Sequence, residues 1–175
     1  LSGFVPSEGS TLTTDSPTIQ FTSDETAACR WSLTDQAYAS MAGDCSGDMT
    51  TSISCGINSL VDGAEVVYIG CVDDHGNPDS VSTNEELEYT VDTSPPVQSA
   101  WNPSKGDYIP TTSPSIVFDT DEEASCRWSL SDQTYSAMTE NCSGGGTTGH
   151  TCSPSGLSQG DEYVYISCAD LPGNE

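Results

Sequence analysis

The chain has 175 residues and a formal net charge of −24, because 27 acidic residues stand against only 3 lysines and arginines. Nucleic-acid binding needs clustered basic residues, so this balance excludes a nucleic-acid partner and disfavours anionic membrane surfaces. No apolar run is long enough to cross a membrane, and the first residues do not have the pattern of a signal peptide.

Short runs rich in β-branched and aromatic residues, separated by Ser, Gly, Asp, Asn and Pro clusters, predict an all-β chain. A short helical turn is expected around residues 36–41. A proline pair at 95–96 then predicts a short, stiff linker. In chain order, the predicted strands are 17–22, 28–33, 51–55, 65–72 and 86–92 before the linker, and 114–119, 125–130, 148–152 and 162–169 after it.

The two halves of the chain are copies of one sequence. Residues 1–78 align with residues 98–175 without a gap, and about half of the aligned positions are identical. A gapless repeat of this length indicates two tandem folding units. We therefore predict domain 1 over residues 1–92, a Pro-rich linker over 93–97 and domain 2 over 98–175. Because repeated modules commonly provide length or assembly, a structural role is favoured over an enzyme.

The second copy has no counterpart of residues 79–92, which include the last predicted strand of domain 1. We therefore expect domain 2 to lack its final strand within this chain. An unpaired sheet edge invites strand addition, either by further chain or by a neighbouring molecule. Further chain is slightly favoured, because residues 1–16 read as the ordinary first segment of domain 1 and leave no spare donor strand.

Eight cysteines, four in each copy at identical spacings, predict disulfides and an oxidising, extracellular compartment. No Cys-x-x-Cys pair occurs, so a zinc site is disfavoured and haem attachment is excluded. Four cysteines allow three pairings in each domain. We favour the nested one, since the inner two cysteines flank a short loop: Cys29 with Cys71, Cys45 with Cys55, Cys126 with Cys168 and Cys142 with Cys152.

The segment from Tyr68 to Asn77, followed by Tyr89-Thr-Val-Asp-Thr-Ser-Pro-Pro96, resembles the end of an Ig-like repeat of bacterial or archaeal cell-surface proteins. The segment 157–165 is similar to the corner before the penultimate strand of fibronectin type III domains. This resemblance implies two tandem Ig-like β-sandwich domains, an extracellular location and a cell-surface setting. It does not imply one function, because such modules serve in filaments, adhesin stalks and accessory modules of secreted enzymes alike.

The resemblance also implies a possible calcium site at the domain junction. In an Ig-like sandwich the incoming linker lies at the same pole as two of the loops. We expect that pole to collect acidic residues suited to an ion that takes six to eight oxygens. The expected ligands are Asp92 from the linker, Asp119 and Asp121 from one loop, with Glu122 and Glu123 beside them, and Asp170 from the other loop. The alternative is that Asp73 and Asp170 only cap a turn.

Other residues carry weaker signals. Arg30 and Arg127 stand at equivalent positions and are expected to pair with local carboxylates across strands. The tryptophans that follow them read as core residues over a disulfide. His75 and His150 are expected in polar loops, and no Gly-x-Ser-x-Gly motif supports an esterase-like site, so we do not expect an enzyme.

The sequence as a whole predicts an extracellular structural protein, a rod or filament of tandem Ig-like repeats whose partners are copies of itself. The alternatives are the stalk of an adhesin or an accessory module of a secreted enzyme. Glycans are a further expectation, because Asn141-Cys142-Ser143 has the form of a glycosylation sequon.

Overall fold

A computed structural model describes all residues from 1 to 175 and divides them into two compact units, Leu1–Thr93 and Ser94–Glu175. Both are built from β-strands in a sandwich-like arrangement, which confirms the all-β prediction. No helix in the structure has the length and apolar character needed to cross a membrane.

Unit 1 contains seven strands and one 3₁₀ turn, Tyr38–Ser40. The strands are β1 (Ser2–Val5), β2 (Thr11–Leu12), β3 (Thr18–Ser32), β4 (Gly43–Ser46), β5 (Thr50–Gly56), β6 (Gly63–Asp73) and β7 (Glu85–Val91). All neighbours in the sheet are antiparallel except β2 and β7, which run parallel.

Unit 2 contains five strands and one 3₁₀ turn, Tyr135–Ala137. The strands are β8 (Gln98–Asn102), β9 (Ile116–Ser129), β10 (Glu140–Asn141), β11 (Thr147–Cys152) and β12 (Tyr165–Asp170). By the sequence repeat they correspond to β1, β3, β4, β5 and β6 of unit 1. No strand of unit 2 corresponds to β2 or β7.

One long strand organises each unit. The sequence predicted two strands separated by a loop at this position, and that prediction is wrong: β3 is continuous over 15 residues. Its register shifts between Thr22 and Ala27, where the Ser23 hydroxyl donates to the Glu25 carbonyl at 2.6 Å. A bulge of this kind bends a strand without ending it. In unit 2, Thr120 donates to the Glu122 carbonyl at 2.7 Å in the same way.

The bend lets one strand pair with different partners along its length. Residues Thr18–Thr22 pair with β5 and β1, whereas Ala27–Ser32 pair with β6, and β4 adds to the same end. Alternation of buried and exposed residues along the first half directs Ile19 and Phe21 into the core. The core of unit 1 therefore collects apolar residues from β3, β5, β6 and β7.

Four disulfides are present, in the nested pairing favoured from the sequence. Cys29–Cys71 links β3 to β6 and Cys45–Cys55 links β4 to β5. Cys126–Cys168 and Cys142–Cys152 repeat these bridges in unit 2. Each bridge of unit 1 connects residues that lie directly opposite each other in register. The bridges therefore fix strand register rather than joining two layers.

We expect the outer bridge of unit 1 to contribute more stability than the inner one. Cys29 and Cys71 are 42 residues apart, and Cys45 and Cys55 are 10 apart. In the chain-entropy model, loops of these lengths correspond to about 4 and about 3 kcal/mol. Urea denaturation of the C29A/C71A and C45A/C55A double variants should show this order. The matched C126A/C168A variant of unit 2 should lose as much as C29A/C71A, and a larger loss for C45A/C55A would contradict the expectation.

Candidate functional site

The residues predicted to bind calcium occupy different structural settings. Asp119 and Asp121 lie within β9, together with residues 122 and 123, and not in a loop as expected. Asp119 is exposed and stands opposite Gly149 of β11 and Ser99 of β8. Four of the five residues 119–123 are acidic, which is typical of a loop, yet the bulge keeps the backbone of this polar run extended.

Asp121 fastens the start of unit 2 to β9. Its carboxylate accepts a hydrogen bond from the backbone N–H of Val97 at 2.7 Å, and its own N–H donates to the Val97 carbonyl at 3.2 Å. This reciprocal pair is a structural use of the side chain. Asp92, the fourth predicted ligand, belongs to unit 1, where its N–H donates to the Leu12 carbonyl at 2.9 Å.

Asp73 and Asp170, the last residues of β6 and β12, each close the turn that follows their strand. The Asp170 carboxylate accepts hydrogen bonds from the N–H groups of Gly173 and Asn174 at 2.6 and 2.7 Å, and from the Asn174 side-chain amide at 2.7 Å. Asp73 accepts the equivalent bonds from Asn77. Hydrogen bonds from Asn77 hold the pKa of the Asp73 carboxyl below its usual value. The turn-capping alternative therefore describes both residues.

Within unit 2, Asp170 also has an acidic neighbour. One carboxylate oxygen of Glu122 lies within 4.8 Å of one of Asp170. Two carboxylates this close repel each other, and a cation between them would relieve the repulsion. They supply fewer oxygens than the six to eight that calcium takes, so most of its ligands would have to come from elsewhere.

Each of the two arginines contacts the 3₁₀ turn of its own unit. Arg30 lies over the ring of Tyr38, with 5.0 Å between the guanidinium carbon and the ring centroid. Its Nε also donates to the Asp44 carboxylate at 3.0 Å, from β3 to β4. This is the cross-strand pairing with a carboxylate that the sequence predicted for Arg30. Arg127 lies over Tyr135 at 4.5 Å and donates to backbone carbonyls of that turn. Both arginines thus have local structural partners.

The two histidines have opposite environments. His75 is exposed and interacts with its neighbour Asp74, as expected of a loop histidine. His150 does not lie in a loop: it belongs to β11, is 2% exposed and stacks on Phe118 at 5.3 Å. Its Nε2 is hydrogen-bonded to Thr120 at 2.9 Å, and its Nδ1 is buried without a hydrogen-bond partner. The residue at the equivalent position of unit 1 is the buried Ile53.

Strand β12 has fewer strand neighbours among residues 94–175 than its counterpart β6 has in unit 1. In unit 1, β6 pairs with β3 on one side and with β7 on the other. In unit 2, β12 pairs with β9 alone. Residues 108–109 and 160–164 correspond to β2 and to the first part of β6, yet neither forms a strand.

The chain was compared with protein families, curated proteins and solved structures. No protein-family model, curated protein or solved structure matches the chain.

We expect His150 to make unit 2 sensitive to mild acid. Burial lowers the pKa of His150, and the Asp119 carboxylate offsets this only in part. A histidine whose pKa is lowered by folding stabilises the native state above its unfolded pKa of about 6.5, and this contribution is lost as the pH falls below that value. The free energy of unfolding of the H150I variant should therefore depend less on pH between about 7.5 and 5 than that of the wild-type chain.

The control for this prediction is the exposed histidine. The H75Q variant should keep the pH dependence of the wild type, because His75 is not buried. Parallel pH profiles for the wild type and H150I in urea denaturation would contradict the prediction.

Proposed function

We propose that the chain is an extracellular structural protein, a rod- or filament-forming tandem repeat of Ig-like domains on a prokaryotic cell surface, assembled by strand complementation. It acts through repetition and self-association, and not as an enzyme. One observation carries the proposal. Both disulfides of unit 1, and five of its strands, have counterparts in unit 2.

Duplicated scaffolding supports a mechanical role. The aspartates and arginines that the sequence singled out bind their own turns and strands: Asp121 holds Val97, Asp170 closes a turn, and Arg127 lies over Tyr135. The disulfides staple every unit at two places, which suits a protein that must remain folded outside the cell. The proposal includes glycans as surface decoration, since Asn141 is exposed.

A stalk that carries the recognition domain of an adhesin is the second candidate function. It would use the same duplicated scaffold, but it would not require units of different molecules to join. The accessory module of a secreted enzyme is a third use of the same architecture.

Negative-stain electron microscopy of native material tests the first proposal. We expect regular filaments whose axial repeat contains two units, since strand complementation would join one chain to the next. A parallel sample treated with a reducing agent should lose this regularity, because the bridges hold strand register. Isolated flexible rods attached to another protein would overturn the filament in favour of the stalk.

We also propose that unit 2 responds to calcium, which rests on the proximity of the Glu122 and Asp170 carboxylates. The melting temperature of the chain should then be higher in calcium than in a chelator, since an ion bound only to the native state stabilises it. The E122Q variant should lose this difference. The matched E25Q variant, altered at the equivalent position of unit 1, should keep it. Equal melting temperatures for the wild type in calcium and chelator would end the proposal.

A further inference from the structure

One difference between the two units creates a modification site in unit 2. Asn141 stands at the position that Asp44 occupies in unit 1, and both side chains are exposed. The next two residues are the same in both units, a bridged cysteine and a serine. Unit 2 therefore contains Asn-Cys-Ser, which has the Asn-x-Ser form of an N-glycosylation acceptor. No other asparagine among residues 1–175 is followed by this pattern with a non-proline residue in the middle.

The side chain of Asn141 takes no part in holding the fold together. In unit 1, Asp44 stands opposite Arg30 and accepts a hydrogen bond from its Nε at 3.0 Å. Asn141 also stands opposite an arginine, Arg127. That guanidinium, however, donates to two backbone carbonyls in and beside the 3₁₀ turn, each at 3.3 Å. No hydrogen bond joins the Asn141 amide to another residue. Its nitrogen can therefore carry a substituent without breaking a contact of the folded unit.

The folded unit also has room for a glycan at this position. Ser143 forms a β-bridge with Thr151, so the chain is extended here, and side chains two residues apart lie on the same face. Asn141 and Ser143 are both exposed, whereas Cys142 between them is 8% exposed. A sugar on Asn141 would therefore project into solvent and leave the core unchanged.

The same segment is closed to an enzyme once the unit has folded. The Ser143 hydroxyl donates to the Thr151 carbonyl at 3.2 Å, and the backbone N–H groups of these two residues donate to each other's carbonyls at 2.8 and 3.1 Å. Cys142 is bonded to Cys152. A transferase that holds the asparagine and the serine of the tripeptide in its own site needs a segment free of such contacts. Modification therefore has to come before folding of this part of unit 2.

We propose that Asn141 carries an N-linked glycan that is added before the Cys142–Cys152 bridge closes, and that unit 1 carries none because Asp44 has no amide nitrogen. This inference rests on the extracellular, glycan-bearing protein of the proposed function and specifies the acceptor residue and the order of events.

The donor is a sugar joined through a phosphate to a lipid carrier, and a transferase of the secreting cell catalyses the transfer. The amide nitrogen of Asn141 attacks C1 of the sugar. The C1–N bond forms and the C1–O bond to the phosphate breaks. The lipid phosphate leaves with the electron pair of that bond, and the amide loses one proton to a base of the transferase.

Mass spectrometry of native material tests the acceptor. We expect the peptide that contains residues 138–150 to be heavier than its polypeptide mass by one glycan, and electron-transfer fragmentation to place the added mass on Asn141. An unmodified Asn141, or sugars only on serine and threonine hydroxyls, would overturn the inference.

Matched variants made in the cells that produce the native protein should move the site between the units. N141D gives unit 2 the tripeptide of unit 1 and should abolish the glycan, and S143A should also abolish it because the serine hydroxyl is missing. D44N gives unit 1 the tripeptide of unit 2 and should add a second glycan, at residue 44. Its loss of the exposed Arg30–Asp44 pair should change stability little. Retention of the glycan in S143A, or no second glycan in D44N, would contradict the inference.

The order of events is tested with chain produced in cells that do not glycosylate. Membranes from the native cells supply the transferase and the lipid-linked donor. The reduced chain should be modified about tenfold or more faster than the oxidised chain, because the folded unit exposes the tripeptide only by local opening. Oxidised C152S, which frees Cys142, should behave like the reduced chain. Oxidised C55S, altered at the equivalent bridge of unit 1, should behave like the oxidised wild type. Equal rates for reduced and oxidised wild type would overturn the proposed order.

These results also separate the inference from the proposed function. Filaments in native material whose Asn141 is unmodified would leave the structural role intact and remove the glycan. A glycan on Asn141 in a protein that forms no filaments would retain the inference and remove the filament.

Discussion

The long bent strand at the centre of each unit is the constraint on which the remaining structure depends. In unit 1, β3 pairs with β1, β4, β5 and β6. In unit 2, β9 pairs with all four other strands. A strand that serves so many partners must change direction, and the bulge formed by Ser23 or Thr120 provides the change. Without this bend, β3 could not pair with β5 along its first half and with β6 along its second half.

The disulfides fix the register of the strands that they connect. A slip of one residue would turn the inward side chains of a strand toward solvent. Because Cys29 and Cys71 stand directly opposite each other, their bridge permits one register of β3 and β6. Cys126 and Cys168 do the same in unit 2, where β12 has a partner on one side only. The bridge therefore holds β12 in register with β9.

The two units differ at one core position, although their disulfides and five of their strands correspond. His150 replaces Ile53 in the core, so unit 2 carries a buried titratable group where unit 1 carries an apolar one. We expect this replacement to make the stability of unit 2 depend more on pH than that of unit 1.

The sequence alone determined the features that depend on local pattern and repetition. Alternation in Leu87, Tyr89 and Val91 identified β7, and cysteine spacing favoured the pairing that the structure contains. Other features depended on contacts between distant residues. The local sequence could predict neither the continuity of β3 nor the burial of His150. A bulge and a core position both depend on the strands that pack around them. The position of Asp121 within β9 could not be predicted for the same reason. A run of polar residues is typical of a loop, and only strand pairing places it within a sheet.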